Sequence, residues 1–362
     1  MAVLDISGLL ATWRPTLGNA ARNAWGLSFG DGVEQPQRTS SMLITSGPHR
    51  DLYRFGDAAG APVLLVPPLA VTAHCYDLRP GQSLAAHLGN GGHTPYVVDY
   101  GAMRYADRGL GFEAWVDDIL PEAIRTVSEL HDGADVSVIG WSLGGTMTLL
   151  TASAHPELPI ASITTIGTPV DYTKIPALSP LRLIGKYTGE RPLTTVTDLV
   201  GGLPAPIVQA SYRVTAPQRE LLKPWFIAKN LHNTETLARM ESIDNFMAEM
   251  PGYPGKAFQQ ICEQLILGNG LLNDTIMLAG RNIKLANLNA PVLSISGTSD
   301  VIAPVASAVA ITSVLTGSPS VRFETAPGSH LGLVAGPTAK NSTWAYIDSF
   351  LEETTRQVVS AI

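Results

Sequence analysis

The residues most suited to chemistry lie in Gly-Trp-Ser-Leu-Gly-Gly at 140–145. This segment follows the apolar run Val-Ser-Val-Ile at 136–139 and precedes a predicted helix at 146–154. A Gly-x-Ser-x-Gly turn between a buried strand and a helix holds the serine in a strained backbone conformation and exposes its hydroxyl. The pattern predicts Ser142 as a nucleophile. It also predicts the Leu143 N–H, at the start of the helix, as a donor to an oxyanion.

A serine nucleophile needs a base, and the chain has eight histidines. Only His330 follows the last predicted strand, at 321–324, in a loop that returns over the strand ends towards the serine. His74, in the loop after the first predicted strand, is the alternative base. His155 comes at the end of the helix after Ser142, where a histidine suits the helix end. We therefore predict His330 as the base.

The third member of a serine-histidine triad is an acid, which holds the imidazole tautomer and stabilises the imidazolium. Asp300 directly follows the predicted strand at 291–296 and suits this role in place and type. The alternative is an aspartate that only caps the following turn. The order Ser142, Asp300, His330 along the chain is the order of an α/β-hydrolase.

Other groups around the nucleophile follow from its neighbours in sequence. The second oxyanion donor is expected in the loop after 62–66, where two prolines have no N–H and leave Leu69 or Ala70, with Leu69 preferred. Trp141, beside the nucleophile, and Trp225 are predicted to contact substrate. For Trp225 the alternative is ordinary packing inside its own region.

Six strand-like segments alternate with helical patterns and predict an α/β fold with a mostly parallel central sheet flanked by helices. The strands are expected at 62–66, 96–98, 136–139, 163–166, 291–296 and 321–324, and helices at 113–130 and 340–358. Between 172 and 285 the alternation stops, which predicts a helical cap insertion. The predicted domains are an N-terminal amphipathic helix and lead-in at 1–47, a core at 48–171 and 286–362, and the cap at 172–285.

Composition excludes several classes of protein. Of the 362 residues 45% are hydrophobic and 15% charged, which excludes a disordered chain. A net charge of −7 without a basic cluster predicts no nucleic-acid partner. Neither Cys-x-x-Cys nor a Gly-x-Gly-x-x-Gly motif after a first strand is present, so we expect no metal and no cofactor. The start of the chain is a poor secretory signal, so a soluble cytoplasmic protein is expected.

The first 25 residues contain an apolar stripe at helical spacing. Its members are Val3, Ile6, Leu10, Trp13, Leu17, Ala21 and Trp25. In one interpretation this helix packs on the domain; in the other it docks on a lipid surface, a polyester granule or a partner.

From about residue 48 to 335 the chain resembles polyhydroxyalkanoate synthases, especially the shorter subunit type. The shared segments are Tyr-Asp-Leu-Arg-Pro at 76–80, Val-Val-Asp-Tyr-Gly at 97–101, the serine motif, Gly-Thr-Ser-Asp-Val-Ile-Ala-Pro at 297–304 and Gly-Ser-His at 328–330. The resemblance implies the fold, the cap and an acyl substrate. Those synthases carry a cysteine nucleophile where this chain has Ser142, and neither Cys75 nor Cys262 stands at that position. Val301 and Val305 replace a histidine and a tryptophan usual in that family.

An alkoxide nucleophile forms an oxygen ester that water can cleave, whereas a thiol suits exchange with coenzyme A thioesters. The sequence therefore predicts a serine hydrolase of hydrophobic acyl esters, acting through an acyl-enzyme on Ser142. The alternative is an acyltransferase or polyester synthase that uses acyl-coenzyme A. A third hypothesis is a non-catalytic scaffold on lipid droplets or granules.

Overall fold

The computed structural model describes residues 6–30, 32–34, 37–188, 202–214 and 217–361. The strands are β1 (Ser41–Thr45), β2 (Asp51–Phe55), β3 (Pro62–Val66), β4 (Thr94–Asp99), β5 (Val136–Trp141), β6 (Ile160–Ile166), β7 (Gly202–Leu203), β8 (Tyr253–Pro254), β9 (Ile276–Leu278), β10 (Arg281–Ile283), β11 (Val292–Gly297) and β12 (Val321–Ala326).

The α-helices are α1 (Ile6–Phe29), α2 (Leu84–Asn90), α3 (Leu120–Glu129), α4 (Leu143–Ala154), α5 (Ser179–Thr188), α6 (Ala205–Val214), α7 (Pro217–Asn230), α8 (Thr234–Ala248), α9 (Gly255–Gln260), α10 (Gly270–Asn273), α11 (Val305–Ala308), α12 (Ile311–Val314), α13 (Gly332–Ala335) and α14 (Thr343–Ala361). Short 3-10 or π turns lie at Ala73–Tyr76, Tyr105–Gly109, Ala114–Ile119, Tyr172–Lys174, Pro176–Leu178, Ile261–Leu267, Leu285–Asn287 and Ala339–Asn341.

Eight strands form the central sheet, in the order β1-β2-β4-β3-β5-β6-β11-β12. The pairs from β4 through β12 are parallel, and only the β1–β2 and β2–β4 pairs are antiparallel. Every residue of β3 and of β11 is buried, because helices cover both faces of the sheet. Burial on both faces explains why these strands are continuous apolar runs in the sequence. The predicted mostly parallel α/β sheet is confirmed.

The six predicted strands are all present, with bounds that differ by at most three residues. Pro121 is the second residue of α3 and directly follows the π-helical turn at Ala114–Ile119, inside the helix predicted at 113–130. The predicted boundary at residue 47 is wrong, because β1 lies within the assigned lead-in and pairs with β2. Four of the five residues of β1 are exposed, and its apolar stretch, Met-Leu-Ile at 42–44, is only three residues long.

The chain between β6 and β11 contributes no strand to the eight-stranded sheet among the residues described. It contains helices α5 to α10 and two small antiparallel ribbons, β7–β8 and β9–β10. We refer to residues 172–285 as the cap. Its helix α8 packs on the core through Phe246 and Met247, which share an apolar cluster with Trp141.

Helix α1 forms as predicted, but its apolar stripe does not face the domain where its side chains are described. Trp25 is 66% exposed and Phe29 78% exposed, while the polar Asn23 is buried and donates to the Leu231 carbonyl. The helix therefore packs on residues of the 172–285 segment through Asn23, as one interpretation expects, but not through Trp25. Val3 lies outside the described residues. Within the described part of the chain, no helix has the length and apolar character needed to cross a membrane.

Candidate active site

Three side chains from three loops meet at the carboxyl edge of the sheet. Ser142 follows β5, Asp300 follows β11 and His330 follows β12. The His330 Nε2 lies 2.8 Å from the Ser142 Oγ, and the His330 Nδ1 lies 2.7 Å from the Asp300 Oδ2. The three predicted residues therefore lie in contact, in the predicted order serine, histidine, aspartate. This chain of contacts can move a proton from the serine hydroxyl to the imidazole.

The backbone at Ser142 is strained, with φ of 54° and ψ of −122°. The turn closes so tightly that a Cβ on Gly140 would lie 2.6 Å from the backbone of Gly145. A Cβ on Gly144 would lie 2.2 Å from the Val66 carbonyl oxygen. The two glycines of the Gly-x-Ser-x-Gly motif are therefore needed for close approach of backbone to backbone. The Thr168 hydroxyl donates to the Ser142 carbonyl at 3.0 Å and holds the turn from the other side.

Asp300 divides its two carboxylate oxygens between two tasks. Oδ2 faces His330, while Oδ1 accepts from the Ile302 and Ala303 N–H groups, each at 2.8 Å. The predicted acid and the alternative turn cap are therefore both present in one residue. Burial alone would raise the pKa of Asp300, but the charge and hydrogen bond of His330 and the two N–H groups outweigh it and lower the pKa below its usual value. The carboxylate stays ionised opposite the imidazole.

Trp141 positions His330 and is not open to a substrate. Its side chain is 1% exposed, its ring lies 5.3 Å from the His330 ring, and its Nε1 donates to the His330 carbonyl at 3.2 Å. The predicted substrate contact at Trp141 is replaced by this packing. Gly167 also lies close to the His330–Asp300 pair: a Cβ there would be 3.2 Å from the His330 Nδ1 and 3.3 Å from the Asp300 Oδ2.

The two predicted oxyanion donors lie on segments that touch. Leu143 is the first residue of α4, where a backbone N–H has no acceptor within its own helix. Leu69 is fully buried in the loop after β3, followed by Ala70 at φ of 59°. Gly144 packs against Val66 and Pro67 of that loop. The donor roles of Leu143 and Leu69 remain predictions.

Trp225 lies on an exposed part of the cap. It is 62% exposed on α7, with the Lys229 ammonium 5.1 Å from its ring centroid. The structure places it neither beside Ser142 nor inside the cap, because α7 turns this side chain to the surface. His74, the alternative base, contacts Arg38 at 2.9 Å and Glu249 at 3.6 Å instead of the serine.

Neither cysteine is available as a nucleophile. Cys75 is fully buried and Cys262 is 1% exposed. Burial raises the pKa of Cys75 well above its usual value and raises that of Cys262 to about 12. A thiol in such surroundings is protonated at neutral pH, and the thiolate is the reactive form.

Sequence reasoning missed two tyrosines that support the site. The Tyr76 hydroxyl lies between Val66 and the Trp141 N–H, and the Tyr100 hydroxyl contacts the Pro67 carbonyl. Both lie in segments that carry the resemblance to polyhydroxyalkanoate synthases, at 76–80 and 97–101, but the spacing of residues assigned no role to their hydroxyls. Among the described residues, no cluster of three or more metal-ligating side chains is present.

No family model matches the chain. It is 24% identical over 345 residues to the poly(3-hydroxyalkanoate) polymerase subunit PhaC of Allochromatium vinosum, which covers 91% of each chain. It is 24% identical to the PhaC subunit of Thiocystis violacea, covering 83% of this chain and 85% of that one.

Solved structures with a similar fold include BpoC from Mycobacterium tuberculosis, with a TM-score of 0.52, 17% identity and 86% of this chain and 97% of that one covered. E-2-(acetamidomethylene)succinate hydrolase has a TM-score of 0.51 and 18% identity, covering 87% of this chain and 99% of that one. These likenesses, the sheet order and the positions of the three loops lead to one conclusion. The chain has the α/β-hydrolase fold, and over nearly its whole length it resembles the polymerase subunits named PhaC.

Proposed function

We propose that this chain is a serine hydrolase that cleaves hydrophobic acyl esters through an acyl-enzyme on Ser142. The observation that carries the proposal is the unbroken set of contacts from the Ser142 hydroxyl through His330 to Asp300, at 2.8 and 2.7 Å. The similarity to acyl-transferring polymerase subunits and the hydrolase-like fold support an enzyme that acts on acyl groups.

Acylation begins when His330 Nε2 takes the proton of the Ser142 hydroxyl as its oxygen attacks the ester carbonyl carbon. The carbonyl oxygen becomes an oxyanion, held by the Leu143 N–H and by a second N–H at Leu69. His330 then gives its proton to the alcohol oxygen as the carbon–oxygen bond breaks. Asp300 keeps the imidazole in the tautomer that accepts at Nε2 and stabilises the imidazolium.

Deacylation repeats these steps with water. His330 takes a proton from the water molecule that attacks the acyl carbonyl, and Ser142 leaves with that proton. The products are a carboxylic acid and the free serine, so the reaction consumes no cofactor and changes no oxidation state.

The surroundings of the triad favour an apolar acyl group. Ser142 is 7% exposed and His330 5% exposed, beneath the cap. The apolar cluster next to Trp141 includes Phe246, Met247 and Met250 of the cap. A surface cleft of about 760 Å³ lies elsewhere, along α3, and contains none of the candidate site residues.

The test is a chain-length series of acyl esters and acyl-coenzyme A thioesters, assayed with the wild type and Ser142→Ala. We expect ester cleavage with release of free acid, and loss of at least about 1000-fold in the variant. Thr146→Ala is the matched control, since it removes a buried hydroxyl from the same helix but not from the triad. Cleavage that persists in Ser142→Ala would refute the proposal.

The second candidate is acyl transfer from an acyl-coenzyme A, and the observation that favours it is the similarity to PhaC over 91% of the chain. In that reaction an alcohol replaces water in the second step, and the acyl group stays in ester linkage. Release of thiol without an equal amount of free acid distinguishes transfer from hydrolysis in the same assay.

Docking of α1 on a lipid droplet or granule surface, and a cytoplasmic location, stay predictions of the sequence. The exposed Trp25 and Phe29 support the docking, because their rings lie 5.2 Å apart and expose most of their surface. The scaffold hypothesis without catalysis is disfavoured by the intact triad geometry.

A further inference from the structure

A buried phenol joins the two segments that carry the proposed oxyanion donors. Tyr76 is fully buried, and its Oη donates to the Val66 carbonyl at 2.8 Å while it accepts from the Trp141 N–H at 3.0 Å. Val66 is the last residue of β3, and Trp141 is the last residue of β5. The phenol therefore touches both strands just before each continues into the site.

The position of this phenol in the sheet is informative. β3 and β5 pair in parallel up to Val66 and Gly140. Beyond this pair the ladder cannot continue through Pro67, which has no N–H. The Tyr76 oxygen contacts the Val66 carbonyl and the Trp141 N–H, and it lies 3.4 Å from the Ile139 carbonyl oxygen. The phenol therefore links the ends of β3 and β5 where the loop after β3 and the turn at Ser142 begin.

A second buried tyrosine holds the next residue of the same loop. Tyr100 is 3% exposed, and its Oη donates to the Pro67 carbonyl at 3.2 Å. Pro67 and Pro68 have no N–H, so in this stretch only carbonyls are available to fix the backbone. Burial raises the pKa of Tyr76 and of Tyr100 well above the usual value, with a smaller contribution from nearby Cys75, so both hydroxyls stay protonated and can donate.

We propose that Tyr76 and Tyr100 are positioning residues that fix the loop of residues 66–70 against the Ser142 turn, so that the Leu69 and Leu143 N–H groups converge on one oxyanion. This inference rests on the proposed serine hydrolase function. Oxyanion donors act only when they are held at the position where charge develops, and a displacement of about 1 Å can cost about 100-fold in rate. Neither phenol contacts the triad side chains through a hydrogen bond in the structure described.

The test compares Tyr76→Phe and Tyr100→Phe with the wild type on the best acyl ester. We expect kcat to fall by about 10- to 100-fold in Tyr76→Phe, which loses its contacts with both the Val66 carbonyl and the Trp141 N–H. The fall should be smaller in Tyr100→Phe, which loses the Pro67 carbonyl contact alone. KM should change by less than about threefold, because the ground-state ester does not use the oxyanion donors. An alkyl boronic acid, which forms a tetrahedral adduct on serine, should lose affinity in parallel with kcat. A non-reactive ether analogue should not.

The matched control is Tyr96→Phe. Tyr96 is also buried, at 2% exposed, and its hydroxyl contacts the His131 Nε2 at 3.0 Å, away from the Ser142 turn. It should lower the thermal midpoint without changing kcat or boronate affinity. If Tyr76→Phe does not fold, Tyr100→Phe alone tests the proposal. Its boronic acid affinity should then fall while its affinity for the ether analogue stays unchanged.

The proposal is overturned if the folded variants keep kcat within about threefold of the wild type, or if Tyr96→Phe lowers kcat as much. A failure of the underlying function looks different. In that case Ser142→Ala would retain activity, and the boronic acid would not bind the wild type.

Discussion

At the scale of single residues, Asp300 is the part of the triad whose chemistry can be tested without removing the nucleophile. Asp300→Asn keeps the size of the side chain but presents an amide that can donate to the His330 Nδ1. The imidazole would then hold its proton on the wrong nitrogen, facing Ser142. We expect kcat to fall by about 10,000-fold with little change in KM, measured on the preferred ester. A fall of less than about tenfold would show that Asp300 is only a turn cap.

The same variant should also change the stability of the fold in acid. The pKa of Asp300 is lower in the folded chain than its usual value of 3.8, so the unfolded chain binds the proton more tightly. This carboxylate therefore stabilises the fold above that value, and its contribution is lost as the pH falls through the lower, folded pKa. Urea unfolding from pH 6 down to about pH 3 should show a steeper loss of stability in the wild type than in Asp300→Asn. Equal slopes would contradict the lowered pKa.

The sequence predicted these three residues because each follows a predicted strand by a few residues, and parallel strands end at one edge of a sheet. The same reasoning gave the wrong surroundings for two tryptophans. Trp141 is adjacent to Ser142 in sequence, but successive side chains of a strand alternate in direction, and this one packs behind His330. The exposure of Trp225 depends on which face of α7 packs against the rest of the cap, and amino-acid composition does not determine that face.

At the scale of elements, the contact between α4 and the loop after β3 sets the width of the site. Gly144→Ala would place a methyl group 2.2 Å from the Val66 carbonyl oxygen and 2.9 Å from Pro67. The loop must move away from the helix, so we expect kcat to fall by at least about 100-fold and the free energy of unfolding to fall by about 1–3 kcal/mol. Enzyme assay and urea unfolding measure the two effects.

Gly109→Ala is the control for this prediction. A Cβ at Gly109 meets no atom within 4 Å, and its backbone is not in the left-handed region. It should leave kcat and stability close to wild type. If Gly144→Ala behaved like Gly109→Ala, the close approach of α4 and the loop would not matter for catalysis.

Element existence was easier to predict than element orientation. The stripe of α1 has helical spacing and the helix is present, but Trp25 faces outward because Asn23 anchors the opposite side to the cap through Leu231 and Thr234. β1 was missed because its apolar stretch, Met-Leu-Ile at 42–44, is short and does not show which element pairs with it. For both α1 and β1, the sequence does not show which face of the element another part of the fold covers.

At the scale of the whole molecule, the parallel sheet was predictable because its central strands are buried on both faces and leave continuous apolar runs. The cap was predictable only as an interruption, between β6 and β11. Its packing on the core through Phe246 and Met247 depends on tertiary contacts without a fixed period. The shape of the proposed acyl site, between the cap and the core, could therefore not be predicted from the sequence.

The charge of the whole molecule leads to a last prediction, which separates the two candidate substrates. With 24 basic and 31 acidic residues, the net charge is −7, and coenzyme A is itself a polyanion. Repulsion should slow capture of an acyl-coenzyme A at low ionic strength, and salt should relieve it, because screening shortens the range of the field to about 10 Å near 0.1 M. We expect kcat/KM for the thioester to rise about two- to tenfold between about 10 and 200 mM NaCl, while that for a neutral ester of equal chain length stays constant. A value for the thioester that falls with salt would instead reveal a local cationic site that attracts coenzyme A, and would favour acyl transfer over ester hydrolysis.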